Sequence, residues 1–193
     1  MTVTDSTTGI LFGGDYNPEQ WSEDVWADDI RLMKQAGVNT ASVGIFAWSS
    51  IEPEEGRYEF GWLDRVIEML HDNGIGVILA TPTASPPPWF SKAHPEALPT
   101  TREGVRLVHG SRDTYNPAAP AYRAAAAAVA RALAERYGAH PAIRAWHLHN
   151  EYGTVSYGPL VDAEFRTWLQ ARYGDLGGTC KACHDKYRSE MHH

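Results

Sequence analysis

The chain predicts an α/β fold with a parallel sheet, and three observations carry that reading. Short apolar strands alternate four times with helical patterns. The third strand, GVILAT (76–81), is almost continuously apolar, as strands covered on both faces are. The segments that follow the strands are rich in Trp, Pro, Asn, Arg and Glu, whereas those that follow the helices are short.

Taken in order, the first strand is ILFGG, Ile10 to Gly14. Ser22 is a good N-cap for the helix after it, with Glu23 and Asp24 where the helix dipole favours negative charge. Trp26, Ile30, Met33 and Gly37 recur at spacings of four, three and four, which gives one buried face ended by glycine. The second strand is Thr40 to Phe46. Its helix runs from Trp62 to Asn73 on a stripe of Leu63, Val66, Ile67 and Leu70, with Gly74 as its stop. A proline-rich loop, SPPPWF (85–90), follows the third strand. The third helix spans Pro120 to Tyr137 and includes five consecutive alanines, strong helix formers. The fourth strand is Ile143 to His149. The fourth helix, Asp162 to Tyr173, sets Phe165, Trp168, Leu169 and Tyr173 on one side.

Two sheets suit this alternation, a doubly wound open sheet and a (β/α)8 barrel. No G-x-G-x-x-G loop opens any of the helices, which removes the main doubly wound form. Chemistry gathered at the C-terminal ends of strands is the habit of barrels. The fold expected is therefore the first half of a TIM (β/α)8 barrel over 10–175, with a disordered lead-in over 1–9 and a non-barrel tail over 176–193.

Composition narrows the function. Acidic residues outnumber basic ones 24 to 17, a net charge of −7, and no Lys/Arg cluster offers a surface to nucleic acid or anionic lipid. No apolar run reaches membrane-spanning length. The start, MTVTDSTTG, has neither the basic nor the apolar region of a secretory signal, so the expected location is cytoplasmic. The first 179 residues contain no cysteine, which excludes a disulfide scaffold for the body.

The richest segment is RAWHLHNEYG (144–153), an apolar strand ending in Asn150-Glu151. A glutamate there sits in the mouth of a barrel. Glycoside cleavage uses one carboxyl to protonate the leaving oxygen and a second to attack the anomeric carbon, and an adjacent Asn amide can hold the sugar 2-hydroxyl. An Asn-Glu pair by itself also suits a cap or a surface position. Its neighbours are GGDYNPEQW (13–21), SIEPEEGRYEF (50–60), SPPPWF (85–90) and GSRDTYNPAAPAYR (110–123). Together with HNEYG (149–153), these resemble glycoside hydrolase family 42, the β-galactosidases, from Leu11 to about Asp175.

That resemblance implies a retaining hydrolase of β-galactosides with Glu151 as general acid/base and Asn150 as a sugar contact. It implies that Arg112 touches substrate and orients the nucleophile. Asp15, Glu19 and Trp48, near strand ends, are read as wall residues. Many members hold zinc through a cysteine cluster. The first of those positions matches Asn116, and 154–162 lacks cysteine, so no zinc is expected in the barrel. The family's nucleophile follows the seventh strand, beyond the four strands present, so the chain alone is expected to be inactive. Open half-barrel edges imply self-association or a second chain that completes the barrel.

The tail carries C-K-A-C-H (180–184). C-x-x-C-H is the attachment signature of covalent haem c. With the flanking GGT and DKYR, it resembles the end of cytochrome c′. The resemblance implies Cys180 and Cys183 as thioether donors and His184 as iron ligand. Two other readings stand beside it: ordinary thiols that pair or take up a metal with His184, His192 and His193, and an accidental or fusion-derived tail.

Overall fold

The computed structural model describes residues 9–110 and 112–175, and beyond them 177, 178, 180, 181, 184 and 185. The lead-in over 1–8 and Cys183 lie outside the described residues. Four strands, Gly13–Tyr16 (β1), Thr40–Val43 (β2), Gly76–Ala80 (β3) and Ile143–His147 (β4), form one sheet in the order β1-β2-β3-β4. All three pairings are parallel, with Gly13 opposite Thr40 and Thr40 opposite Gly76. Between β3 and β4 the register slips at Val77/Ile78, so that Val77 faces Ile143 while Ile78 faces Ala145. Parallel neighbours in chain order, joined through helices, are half of an eight-stranded barrel.

The helices are Glu23–Gln35 (α1), Trp48–Ile51 (α2), Gly61–Asp72 (α3), Pro88–Ala93 (α4), Pro120–Tyr137 (α5) and Pro159–Tyr173 (α6). The core lies between the outer face of the sheet and α1, α3 and α5. Ala41, Val43, Val77 and Leu79 meet Trp26, Ile30, Leu63, Ile67, Leu70, Val129 and Leu133 there. Two helix ends follow one plan. Gly37 and Gly74 take positive φ, and Val38 and Ile75 donate back to Met33 and Leu70 at 2.9 Å. Glycine meets that left-handed turn without steric cost. Asp64 of α3 accepts from Arg136 and from the Tyr137 hydroxyl of α5. Its hydrogen bond with Arg136 holds its carboxyl below the usual range.

Several expectations need correction. The first strand is Gly13–Tyr16, not Ile10 to Gly14, and Ile10 is 87% exposed. Close approach to β2 sets that register, since a Cβ on Gly13 would stand 1.7 Å from the Thr40 carbonyl oxygen. The second and fourth strands end at Val43 and His147, before the residues that turn out of the sheet. Ser22 does sit at the N-cap of α1, but its side chain makes no capping bond. The last helix begins at Pro159, a residue preorganised for the first helical position. Its aromatic stripe is not buried: Phe165, Trp168 and Tyr173 are exposed, and α6 has no buried residue.

Candidate active site

The C-terminal ends of the four strands open on one rim. The segment after β3 is the longest, running through α4 and a 3-10 turn at Pro95–Ala97 before it reaches α5. Arg112 lies in it. Arg112 Nη2 stands 3.7 Å from Glu151 Oε2, and the guanidinium lies over the Phe46 ring, 5.4 Å from its centroid. Three strand exits, after β2, β3 and β4, thus converge on one ion pair. Both partners remain open to solvent, with side chains 49% and 72% exposed. Surface pairs of that kind contribute at most about 1 kcal/mol to stability. Asn150, beside Glu151, is half-buried.

Below this rim the inner face of the sheet forms a concavity of about 520 Å³ lined by Asp15, Ser42, Ile78 and His147 among others. The Ser42 hydroxyl and His147 Nδ1 are 3.3 Å apart across it. Asp15 is therefore a wall residue. Glu19 is half-buried, its Oε2 has no hydrogen-bond partner among the described residues, and burial pushes its carboxyl up. Trp48 is a correction, because it is core rather than wall. It is fully buried, and its indole N–H donates to Glu52 Oε2 at 2.7 Å.

Asn116 is buried and shapes the entry to α5, its Oδ1 accepting from the Ala118 amide at 3.0 Å. In the tail, Cys180 and His184 are exposed, four residues apart in helical backbone. Among the described residues no group of three or more His, Cys, Asp or Glu side chains is placed to hold a metal ion.

The sequence reading missed His149. It is 2% exposed and makes three hydrogen bonds. Its amide donates to Thr81 Oγ1 at 2.8 Å, Nδ1 lies 2.8 Å from Thr83 Oγ1, and Nε2 lies 2.6 Å from the Tyr115 hydroxyl. Burial holds its imidazole below the usual range. Tyr115 stacks on Tyr122 at 4.3 Å, and Tyr152 stacks on the His149 ring at 4.1 Å. Both His149 (φ 62°) and Glu151 (φ 45°) occupy the left-handed region, at a cost of order 1–3 kcal/mol each. The motif displays His149, but its partners lie 34, 66 and 68 residues away in the chain, where no local pattern links them.

Known proteins share this fold and much of this sequence. The chain is 51% identical over 178 residues to a β-galactosidase from an Arthrobacter species, covering 91% of this chain and 26% of that protein. It is 40% identical over 193 residues to the β-galactosidase Pbg of Clostridium perfringens, covering 98% and 28%. The crystal structure of the β-galactosidase from Rahnella sp. R3 superposes with a TM-score of 0.87 at 45% identity, covering 92% of this chain and 26% of that one. The chain thus spans about a quarter of the length of the relatives it matches. The family model described as β-galactosidase, glycoside hydrolase family 42, matches residues 15–191 and so crosses the C-K-A-C-H stretch. A half-barrel whose rim gathers Phe46, Arg112 and Glu151, matched by that model over nearly its whole length, belongs to the family 42 β-galactosidases.

Proposed function

We propose that this chain is the part of a retaining β-galactosidase that supplies the general acid/base, Glu151, with Asn150 and Arg112 as sugar contacts. The observation that carries the reading is the convergence of Arg112 and Glu151 at the C-terminal rim of a parallel half-barrel. Glu151 protonates the glycosidic oxygen as the aglycone leaves and then deprotonates the incoming water. The Asn150 amide, next to it in the chain, donates to the sugar 2-hydroxyl, a contact that tightens in the transition state. Arg112 neutralises charge beside the reacting centre and orients the nucleophilic glutamate, which belongs to the seventh strand of the complete barrel.

The test is a chimera in which residues 11–175 replace the matching segment of the Arthrobacter relative. The expected result is an active enzyme. In it, Glu151→Gln lowers turnover of lactose by about 10³-fold, within the usual range for loss of an acid/base group. Aryl galactosides with good leaving groups need less protonation and lose less. An equal loss on both substrates, or no loss, would overturn the assignment of Glu151.

A second reading, covalent haem c at the tail, rests on C-K-A-C-H and on the exposure of Cys180 and His184. Each thiol would add across a haem vinyl group, with its proton going to the neighbouring vinyl carbon. His184 would then ligate iron. The expected mark is a gain of one haem in intact mass, with Soret absorbance lost in the Cys180→Ser/Cys183→Ser double variant. An apoprotein mass from cells that mature c-type cytochromes removes this reading.

A further inference from the structure

We infer that the Tyr115–His149 hydrogen bond is a positioning device that sets Arg112 against Glu151. This rests on the assignment of Glu151 above. Two segments outside the strands and helices have to meet at the rim. One, after β3, carries Arg112, Asp113 and Tyr115, and the other, after β4, carries His149, Asn150 and Glu151. The buried bond between Tyr115 and His149 joins them, three residues from Arg112 on one side and two from Glu151 on the other.

The chemistry of the bond follows from its surroundings. A phenol is a stronger acid than an alcohol, so Tyr115 O–H donates to Nε2 and Nδ1–H donates to Thr83 Oγ1. The ring is thereby fixed in one tautomer. Its partners are themselves held in place. Tyr115 stacks on the Tyr122 ring, a contact that a phenylalanine there would keep. Strained backbone persists only where its surroundings over-determine it. At His149 those surroundings are the two ring bonds, the amide bond to Thr81 Oγ1 and the Tyr152 stack. Releasing the ring lets His149 and Glu151 relax out of the left-handed region and turns the Glu151 carboxyl away from Arg112. The other ties between these segments lie farther out along the second one: Thr154 Oγ1 to Asp113 at 3.4 Å, near the limit for a hydrogen bond, and at Thr100 its amide to Ser156 Oγ and the Tyr157 amide to its carbonyl, both 3.0 Å.

The experiment uses the 193-residue chain itself. Four variants are compared by amide hydrogen exchange at Asn150, Glu151 and Tyr152, and by nuclear Overhauser contacts between the Arg112 guanidinium and the Glu151 side chain. Tyr115→Phe and His149→Ala remove the bond. His149→Gln keeps an acceptor near the Nε2 position. Tyr122→Phe removes a neighbouring buried hydroxyl bond without touching His149. The expected result is exchange about tenfold faster in the first two variants, the equivalent of one hydrogen bond, with loss of the Arg112–Glu151 contacts. His149→Gln and Tyr122→Phe should stay within about twofold of the parent by the same measure. A similar rise in all four variants means general loosening and overturns the inference, as does no rise in Tyr115→Phe and His149→Ala. Failure of Glu151 as acid/base would show in the chimera's leaving-group dependence and leave these exchange rates unchanged.

Discussion

Purified alone, the chain is expected to hydrolyse aryl β-galactosides at a rate on the order of 10⁵-fold below a complete relative, as when a nucleophile is removed. Glu151→Gln is expected to leave that residual rate unaltered. Retaining hydrolysis needs a second carboxyl group about 5 Å from the first, across the scissile bond. Among the described residues the ion-pair partner of Glu151 is Arg112. Self-association does not repair this. If two copies closed a barrel edge to edge, the partner's third strand would fill the seventh place. It ends in Ala80-Thr81-Pro82-Thr83, which has no carboxylate. The second Glu151 would fall on the eighth. The measurement is turnover of an activated aryl galactoside by protein purified from a host without its own β-galactosidase. A rate near that of a complete enzyme, abolished by Glu151→Gln, would show that a second carboxylate is supplied from elsewhere in the assembly.

The largest effect on stability is expected at Trp48. Its side chain is fully buried and stacks with Phe90 at 6.4 Å. Its indole N–H is one of two donors to the side chain of Glu52, which is only 4% exposed, and the Gly56 amide is the other at 2.8 Å. Trp48→Ala opens a cavity worth about 3–5 kcal/mol and strips a buried carboxylate of a donor as well. Trp48→Phe keeps most of the volume and loses the donor, for about 1.5–3 kcal/mol. Urea unfolding of the two variants separates the terms. A loss below about 1 kcal/mol for Trp48→Ala would contradict the packing described, given what buried aromatic truncations ordinarily cost.

The long helices and the central strands were legible because each satisfies its own local rule. The third helix shows proline at its first position and glycine just past its end, and α5 spans Pro120–Tyr137 as the sequence reading has it. The short helices α2 and α4 were not legible. They are held by side chains distant in the chain, such as the Trp89 indole, which donates to the Glu52 carbonyl at 2.7 Å. The first strand misled because its strongest apolar signal, Ile10 to Phe12, lies outside the sheet ladder, while two glycines begin the true strand. At the rim, Glu151 and Arg112, which the structure brings within 3.7 Å, both lie in motifs the sequence displays. His149 did not, because a histidine's neighbours, and not its letter, decide what it does.

The neighbour-only order of the sheet has a kinetic consequence. Each strand pairs with the strand that precedes it in the chain, so during synthesis every new strand meets a template already made. The first two pairings close over shorter connections, the first through α1 and the second through α2 and α3. The third waits for the whole stretch from 81 to 142, including α4 and α5, to emerge and fold back. Loop closure must be met before that ladder rewards it, which makes β4 the slow step of assembly. The rim residues Asn150 and Glu151, attached to β4, thus take their places only after that closure.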